Sequence, residues 1–196
     1  NGKDCVREGF NAEIRYAGQR CNISPNLLFE VGGNTFAIEI GHDIWAPVPP
    51  SSYAAMAGAQ LIVNLSADNE TAGRDRERKA LIGSHSARTK SGYIYCSSGY
   101  GESSQDFVYA GAAYVHENGA LLAEKERFAG ESAMITADID IALLDNQRQK
   151  LNSFRSICPD GATSASFRNR YSRIFLGQPA ETDFKAELYR HIEAHP

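Results

Sequence analysis

Thr35-Phe36-Ala37-Ile38-Glu39-Ile40-Gly41-His42-Asp43-Ile44-Trp45 carries the strongest structural signal in the chain. Phe36, Ile38 and Ile40 alternate with Ala37 and Glu39, the period-two pattern of a strand with one face buried. The apolar set is expected on the buried face, and Gly41 ends the strand where the chain must turn. A residue at position 41 therefore stands at a strand's C-terminal end. In α/β proteins catalytic groups collect at such ends, because a rigid sheet holds them while loops shape the pocket.

Working outward, residues 26–31 and 35–40 flank Gly32-Gly33-Asn34, a hairpin signal, and Glu117-Asn118-Gly119 plays the same part between residues 107–116 and 121–128. Residues 51–58 and 75–91 read as helices, the first with Ser51 or Ser52 as N-cap, the second charged along one face. Residues 61–65 and 93–97 are short apolar strands that follow each helix. Further on, residues 141–157 read as a helix and 158–166 as a connector. Thr182 opens a last helix with Phe184, Leu188 and Ile192 on one stripe. Periodicity alone gives a mixed α and β chain.

At 196 residues the chain is one domain by size, long enough to bury a proper core. Its 20 Lys plus Arg stand against 24 Asp plus Glu, for a formal charge of −4. No basic cluster interleaved with aromatics suggests phosphate-backbone binding, so nucleic acid is not an expected partner. No run reaches the roughly 18 apolar residues of a spanning helix, and the start Asn1-Gly2-Lys3-Asp4 does not read as a signal peptide. No membrane association is expected, and the location is expected to be cytoplasmic. Cys5, Cys21, Cys96 and Cys158 are irregularly spaced, with no CxxC pair, which disfavours a structural zinc site and a disulfide framework.

The segments after the first strand carry a more specific signal. Ile38 to Trp45, the run Pro47-Val48-Pro49-Pro50-Ser51-Ser52, the small-residue helix Tyr53 to Ala59, Val63-Asn64-Leu65-Ser66-Ala67 with Asn69-Glu70, and Gly101-Glu102-Ser103-Ser104-Gln105-Asp106 follow in that order. Glu117-Asn118-Gly119 and Leu121-Leu122-Ala123-Glu124 come after them. This ordered set, from about Asn26 to Phe128, resembles the glutaminase domain of glutamine-dependent NAD synthetases, within the nitrilase superfamily. The resemblance implies an α/β fold, a nitrilase-like αββα sandwich, with the N-terminal part of the family domain lacking here. Residues 1–157 are then the C-terminal portion of that glutaminase domain. Residues 158–196 form a connector and terminal helix that in the family leads to a synthetase domain, where a pair like His195-Pro196 marks the junction.

The departures carry as much information as the match. Where the family has its cysteine nucleophile followed by glutamate, this chain has Gly41 and His42. Glycine cannot form the thioester that amide hydrolysis in the family requires. By resemblance, the glutamate base and the lysine of the triad lie upstream of the residues present here, so no catalytic side chain is intact. The backbone N–H of His42 matches one that helps form the family's oxyanion hole. Asp68 and Arg74 match by position the loop residues that hold the charged ends of the substrate glutamine, Arg74 suiting a carboxylate through its fork-shaped cation.

Other candidates have plainer readings beside the chemical one. Cys96 is weighed as a replacement nucleophile against a buried small hydrophobe, and Glu102 as a pocket wall against a loop-capping carboxylate. Glu39, His42, Asp43 and His85 are not spaced as a metal set, and no metal is expected. The resemblance implies no cofactor in this domain, with ATP and deamido-NAD belonging to the synthetase domain. Glutamine is the implied substrate, and an open sheet edge implies a homo-oligomer. Two readings of different class stay open: a portion of a glutamine-dependent NAD synthetase, inactive as a glutaminase, or a non-catalytic nitrilase-like module for assembly or small amide-ligand binding.

Overall fold

The computed structural model describes residues 12–99, 101–102, 106–151 and 169–176. Cys5, Cys158, the 158–166 connector, the helix after Thr182 and the His195-Pro196 pair lie outside them. The described chain begins with a hairpin the sequence reading did not find: β1 (Ala12–Tyr16) turns at Ala17-Gly18 and pairs antiparallel with β2 (Gln19–Ile23). β3 (Leu27–Val31) and β4 (Asn34–Ile40) form a second hairpin. Gly32 (φ 57°) and Gly33 (φ 80°) make its turn, in the left-handed backbone that a two-residue turn needs and that glycine adopts without penalty.

From β4 the chain alternates. α1 (Pro50–Ala57) leads to β5 (Leu61–Ser66), and α2 (Arg74–Thr89) leads to β6 (Gly92–Ser97). β4, β5 and β6 run parallel, with Ile38 beside Val63 and Leu65 beside Cys96. β7 (Ala113–Glu117) and β8 (Ala120–Glu124) add an antiparallel hairpin closed by Asn118-Gly119, and β9 (Ser172–Phe175) lies parallel to β3. The result is one mixed seven-stranded sheet, ordered β8-β7-β6-β5-β4-β3-β9, with β1 and β2 as a separate two-stranded sheet.

Local chemistry sets the helix ends. α1 starts with Pro50 at its first turn, and Gly58 stops it at φ 116°, its N–H bonding back to Ala54. Ser51 and Ser52 do not cap it, because Pro49 is the flanking residue and the Ser51 side chain turns inward instead. α2 carries Asp75 and Glu77 in its first turn and Arg88 in its last, both favourable to the helix dipole. α3 (Ile141–Lys150) is capped by Asp140, whose carboxylate accepts the Leu143 N–H. It closes the sheet's lower end: Leu144 is fully buried, and Arg148 donates to the carbonyls of Ala59 and Lys90, each just before a strand begins.

Helices α1 and α2 cover the same face of the sheet. Ala37 and Glu39, Ile62 and Asn64, Tyr93 and Tyr95, and Tyr114 and His116 point into that layer and are all buried. This corrects the expected orientation of β4. The alternation is real, but Ile38 and Ile40 are 45% and 39% exposed on the opposite face, beside Leu65 at 50%. Small Ala37 lets α1 approach closely, and hydrogen bonds satisfy Glu39, so the polar-looking set is the one that faces the helices. No helix among the described residues is long and apolar enough to cross a membrane.

Candidate functional site

The parallel strands β4, β5 and β6 end side by side, and Gly41 occupies the turn after β4. Its φ is 57°, it opens a short 3-10 helix (Gly41–Trp45), and a Cβ built on it would meet no atom within 4 Å. The backbone there is a tight strand-to-helix elbow that would lift a side chain into open space. Glycine takes this left-handed backbone without penalty and leaves the space above it open.

Beneath the elbow lies a buried polar network. Glu39 accepts from the Ser51 N–H at 3.2 Å, the Ser51 hydroxyl at 2.8 Å and the Tyr93 hydroxyl at 2.6 Å. Ser51 also meets His85 Nε2 at 2.8 Å. Since the one Ser51 proton goes to Glu39, the imidazole is the donor on that side. Asn64 donates to Tyr93 at 3.0 Å and reaches the Gly41 carbonyl at 3.4 Å. Burial raises the Glu39 pKa above its ordinary value, against the hydrogen bonds from Tyr93 and Ser51 that lower it. Burial, helped by Arg88, pushes His85 down to about 4. The network ties β4, α1 and α2 together directly under Gly41.

Above the elbow is a charge cluster. Asp68, only 2% exposed, accepts two bonds from Arg74, each at 3.0 Å, and one from Arg78 at 2.9 Å, with His42 Nε2 at 3.1 Å. Burial alone would raise the Asp68 pKa, but the two guanidinium groups outweigh it and hold the carboxyl below its ordinary value. Arg78 is fully buried and also binds Glu70 at 2.5 Å, and Glu70 is shared with Arg127 at 3.1 Å. Arg74 stacks on Trp45, its guanidinium carbon 3.5 Å from the ring centroid. Asp75 carries the network outward to Lys79, Arg127 and Tyr114.

A cleft of about 570 Å³ opens beside this cluster, with Gly41, His42, Ser66, Cys96, Ser98 and Glu102 on its walls. The structure places Gly41 and His42 on the cleft wall and sets Asp68 and Arg74 next to His42. It also changes two readings. Asp68 and Arg74 bind each other in a two-pronged pair, so neither charged end is held out alone. Cys96 is exposed on the side of the sheet away from the helices, against the expected buried hydrophobe. Glu102 caps its own loop, accepting the Gly99 N–H at 2.6 Å. Glu39 and His85 sit below the elbow while His42 sits above it, and among the described residues no group of His, Cys, Asp and Glu could hold a metal ion. Two further members of the cluster, Arg78 within the charged run 74–78 and Glu70 beside Asn69, carry no sequence signal that sets them apart from solvated charges. Glu39, considered from sequence only as a metal ligand, sits inside an apolar strand, and a carboxylate there is itself a signal of a buried network.

No protein-family model matches the chain. A glutamine-dependent NAD(+) synthetase of Mycobacterium tuberculosis is 39% identical over 150 residues, covering 75% of this chain and 22% of its own length. The protein of that name from Mycobacterium leprae is 40% identical over 138 residues, covering 69% and 20%. Among solved structures, a glutamine-dependent NAD(+) synthetase from Cytophaga hutchinsonii superposes with a TM-score of 0.53 at 20% identity, over 63% of this chain and 19% of that one. A CN-hydrolase superfamily protein from Xanthomonas campestris gives 0.55 at 16% identity, over 68% and 50%. The mixed sheet puts the chain in the fold class of these structures, one of them a CN-hydrolase superfamily protein. Within that class the sequence relatives place the chain with the glutamine-dependent NAD(+) synthetases, as a portion of such a protein. It spans 20% to 22% of the length of the curated relatives it matches.

Proposed function

We propose that this chain is a glutaminase-domain portion of a glutamine-dependent NAD synthetase in which the amide-hydrolysing site has lost its nucleophile. In a working enzyme of this kind, glutamine hydrolysis supplies ammonia for the ATP-dependent amidation of deamido-NAD, with ATP and deamido-NAD held by a separate synthetase domain. The observation that carries the reading is Gly41 itself: a left-handed elbow at the end of β4, aimed into a cleft, where the relatives' pattern calls for a cysteine. With no side chain at position 41, no thioester can form there. The chain is then silent toward glutamine.

A second reading has its own support. Arg74 spends two of its donors on Asp68, and His42 faces the same carboxylate, so the groups matched to substrate binding are satisfied internally. That arrangement favours a non-catalytic module, retained for assembly or for a small amide ligand, over a site poised for glutamine.

Ammonia release from glutamine separates the two. It is measured for the chain, for Gly41→Cys, and for each mixed with the preceding part of a relative's glutaminase domain. Activity only in Gly41→Cys with the added part supports a disabled glutaminase, and silence in every mixture supports the module. Glutamine hydrolysis by the unaltered chain alone would sink both.

A further inference from the structure

We propose that the outer edge of β1 is a self-association surface, where two copies of this chain pair antiparallel about a two-fold axis at Ile14. β1 and β2 make a sheet of their own, and among the described residues no strand pairs with the far side of β1. A lone two-stranded sheet is marginal in water, and an unpaired edge is a template for another strand.

The side chains say which strand. The register places Ala12 with Ile23, Ile14 with Cys21, and Tyr16 with Gln19, so one face of the hairpin is largely apolar, with Ile14 40% and Tyr16 71% exposed. The other face carries Glu13, Arg15, Arg20 and Asn22. There the register sets Arg15 directly against Arg20, an unfavourable like-charge pair. Glu13 reaches diagonally to Arg20 at 3.5 Å, which leaves Arg15 with no carboxylate at ion-pair distance among the described residues. The hairpin holds a cation in need of an anion.

Antiparallel pairing centred on Ile14 supplies it. Each Glu13 then stands opposite Arg15 of the second copy, twice per dimer, and Ile14 packs on Ile14. The backbone phase agrees. A two-residue turn makes Tyr16 and Gln19 a hydrogen-bonded pair, so Ala12, Ile14 and Tyr16 spend their peptide groups on β2, while those of Glu13 and Arg15 point to the free edge. The Glu13–Arg15 pairs are therefore the hydrogen-bonded ones. No other register serves as well: parallel pairing sets Arg15 on Arg15, and pairing β2 edges about Cys21 sets Arg20 against Asn22. The dimer is a four-stranded sheet ordered β2-β1-β1-β2.

Sedimentation velocity on the full chain over a range of concentrations tests this. The expected result is a reversible dimer that Glu13→Arg weakens by about tenfold or more, and that Glu13→Arg with Arg15→Glu in one chain restores. Mixing the Glu13→Arg chain with the Arg15→Glu chain is expected to give a mixed dimer more stable than either alone. Under mild oxidation Ile14→Cys should form a covalent dimer faster than the parent chain. A chain that stays monomeric at every concentration overturns the proposal. So does a dimer unmoved by Glu13→Arg, which would put the interface elsewhere, the exposed sheet face around Ile38 and Leu65 included.

Discussion

At position 41 a side chain would find room without finding a comfortable backbone. The left-handed φ of 57° disfavours any residue with a Cβ, and the open space around it removes steric clash as a second penalty. Gly41→Cys is therefore expected to lower stability by about 1 kcal/mol, read as a shift in urea midpoint at unchanged slope, with Gly41→Asn closer to the parent. A stabilised Gly41→Cys chain would mean that the elbow is not left-handed in solution. Asp68 makes the opposite kind of claim, because its environment depends on charge. Its folded pKa lies below its ordinary value, so the folded state binds fewer protons than the unfolded state. The stabilisation is complete above the unfolded pKa and is lost as pH falls through the folded one, which places the loss below pH 3.8. Asp68→Asn strands part of the buried Arg78 charge, leaving Glu70 as its one carboxylate partner among the described residues, and is expected to cost about 3 kcal/mol at neutral pH. Urea titrations at several pH values should show the variant's stability falling less steeply than the parent's in that acid range.

At the scale of elements, the network under the elbow has a titration of its own. His85 is pushed by burial to a folded pKa of about 4, below its ordinary value of 6.5, so the unfolded state takes up the proton first as pH falls. Stability is thus expected to decline between pH 6.5 and 4 from this group. Glu39, raised by burial, works in the other sense and favours the fold most at low pH. His85→Gln keeps a donor for Ser51 and removes the titration, so its urea midpoint should fall less than the parent's over that interval. Equal slopes in both chains would place His85 outside the pH response. Much of this scaffold was legible in advance. Hairpin turns announce themselves through Gly32-Gly33 and Asn118-Gly119, because few residues tolerate left-handed backbone, and the strands and helices from Leu61 to Ser97 carry clear periods. The elbow residues, too, could be lined up from motif order. What stayed hidden was long-range: β9 is a short pairing far along the chain from β3, and β1 and β2 hold mostly polar residues with no apolar run to mark them. The direction in which β4 faces was equally hidden, since alternation fixes two faces without saying which meets the helices.

For the molecule as a whole, that reversed face has a physical consequence. Helices α1 and α2 cover one side of the seven-stranded sheet, and on the other side Ile38, Ile40 and Leu65 are between 39% and 50% exposed, with Cys96 next to Leu65 across β5 and β6. Adjacent strands put these apolar groups side by side, which is the kind of contiguous surface that marks an interface rather than a free face. Their contribution to the stability of the isolated chain should accordingly be small. Ile38→Thr with Leu65→Thr is expected to change unfolding free energy by no more than about 0.5 kcal/mol, as surface positions do. The same pair should reduce binding of a dye that reports exposed apolar surface. Ile62→Thr supplies the contrast: Ile62 is fully buried on the helix side of the strand that carries Leu65. Burying a hydroxyl there without a partner is expected to cost about 2 kcal/mol or more. If the Ile38 and Leu65 substitutions proved as damaging as Ile62→Thr, that face would be covered within the chain itself. If they are tolerated while dye binding falls, the exposed face is a property of the folded chain, and the apolar half of the β4 pattern is free to serve contacts beyond it.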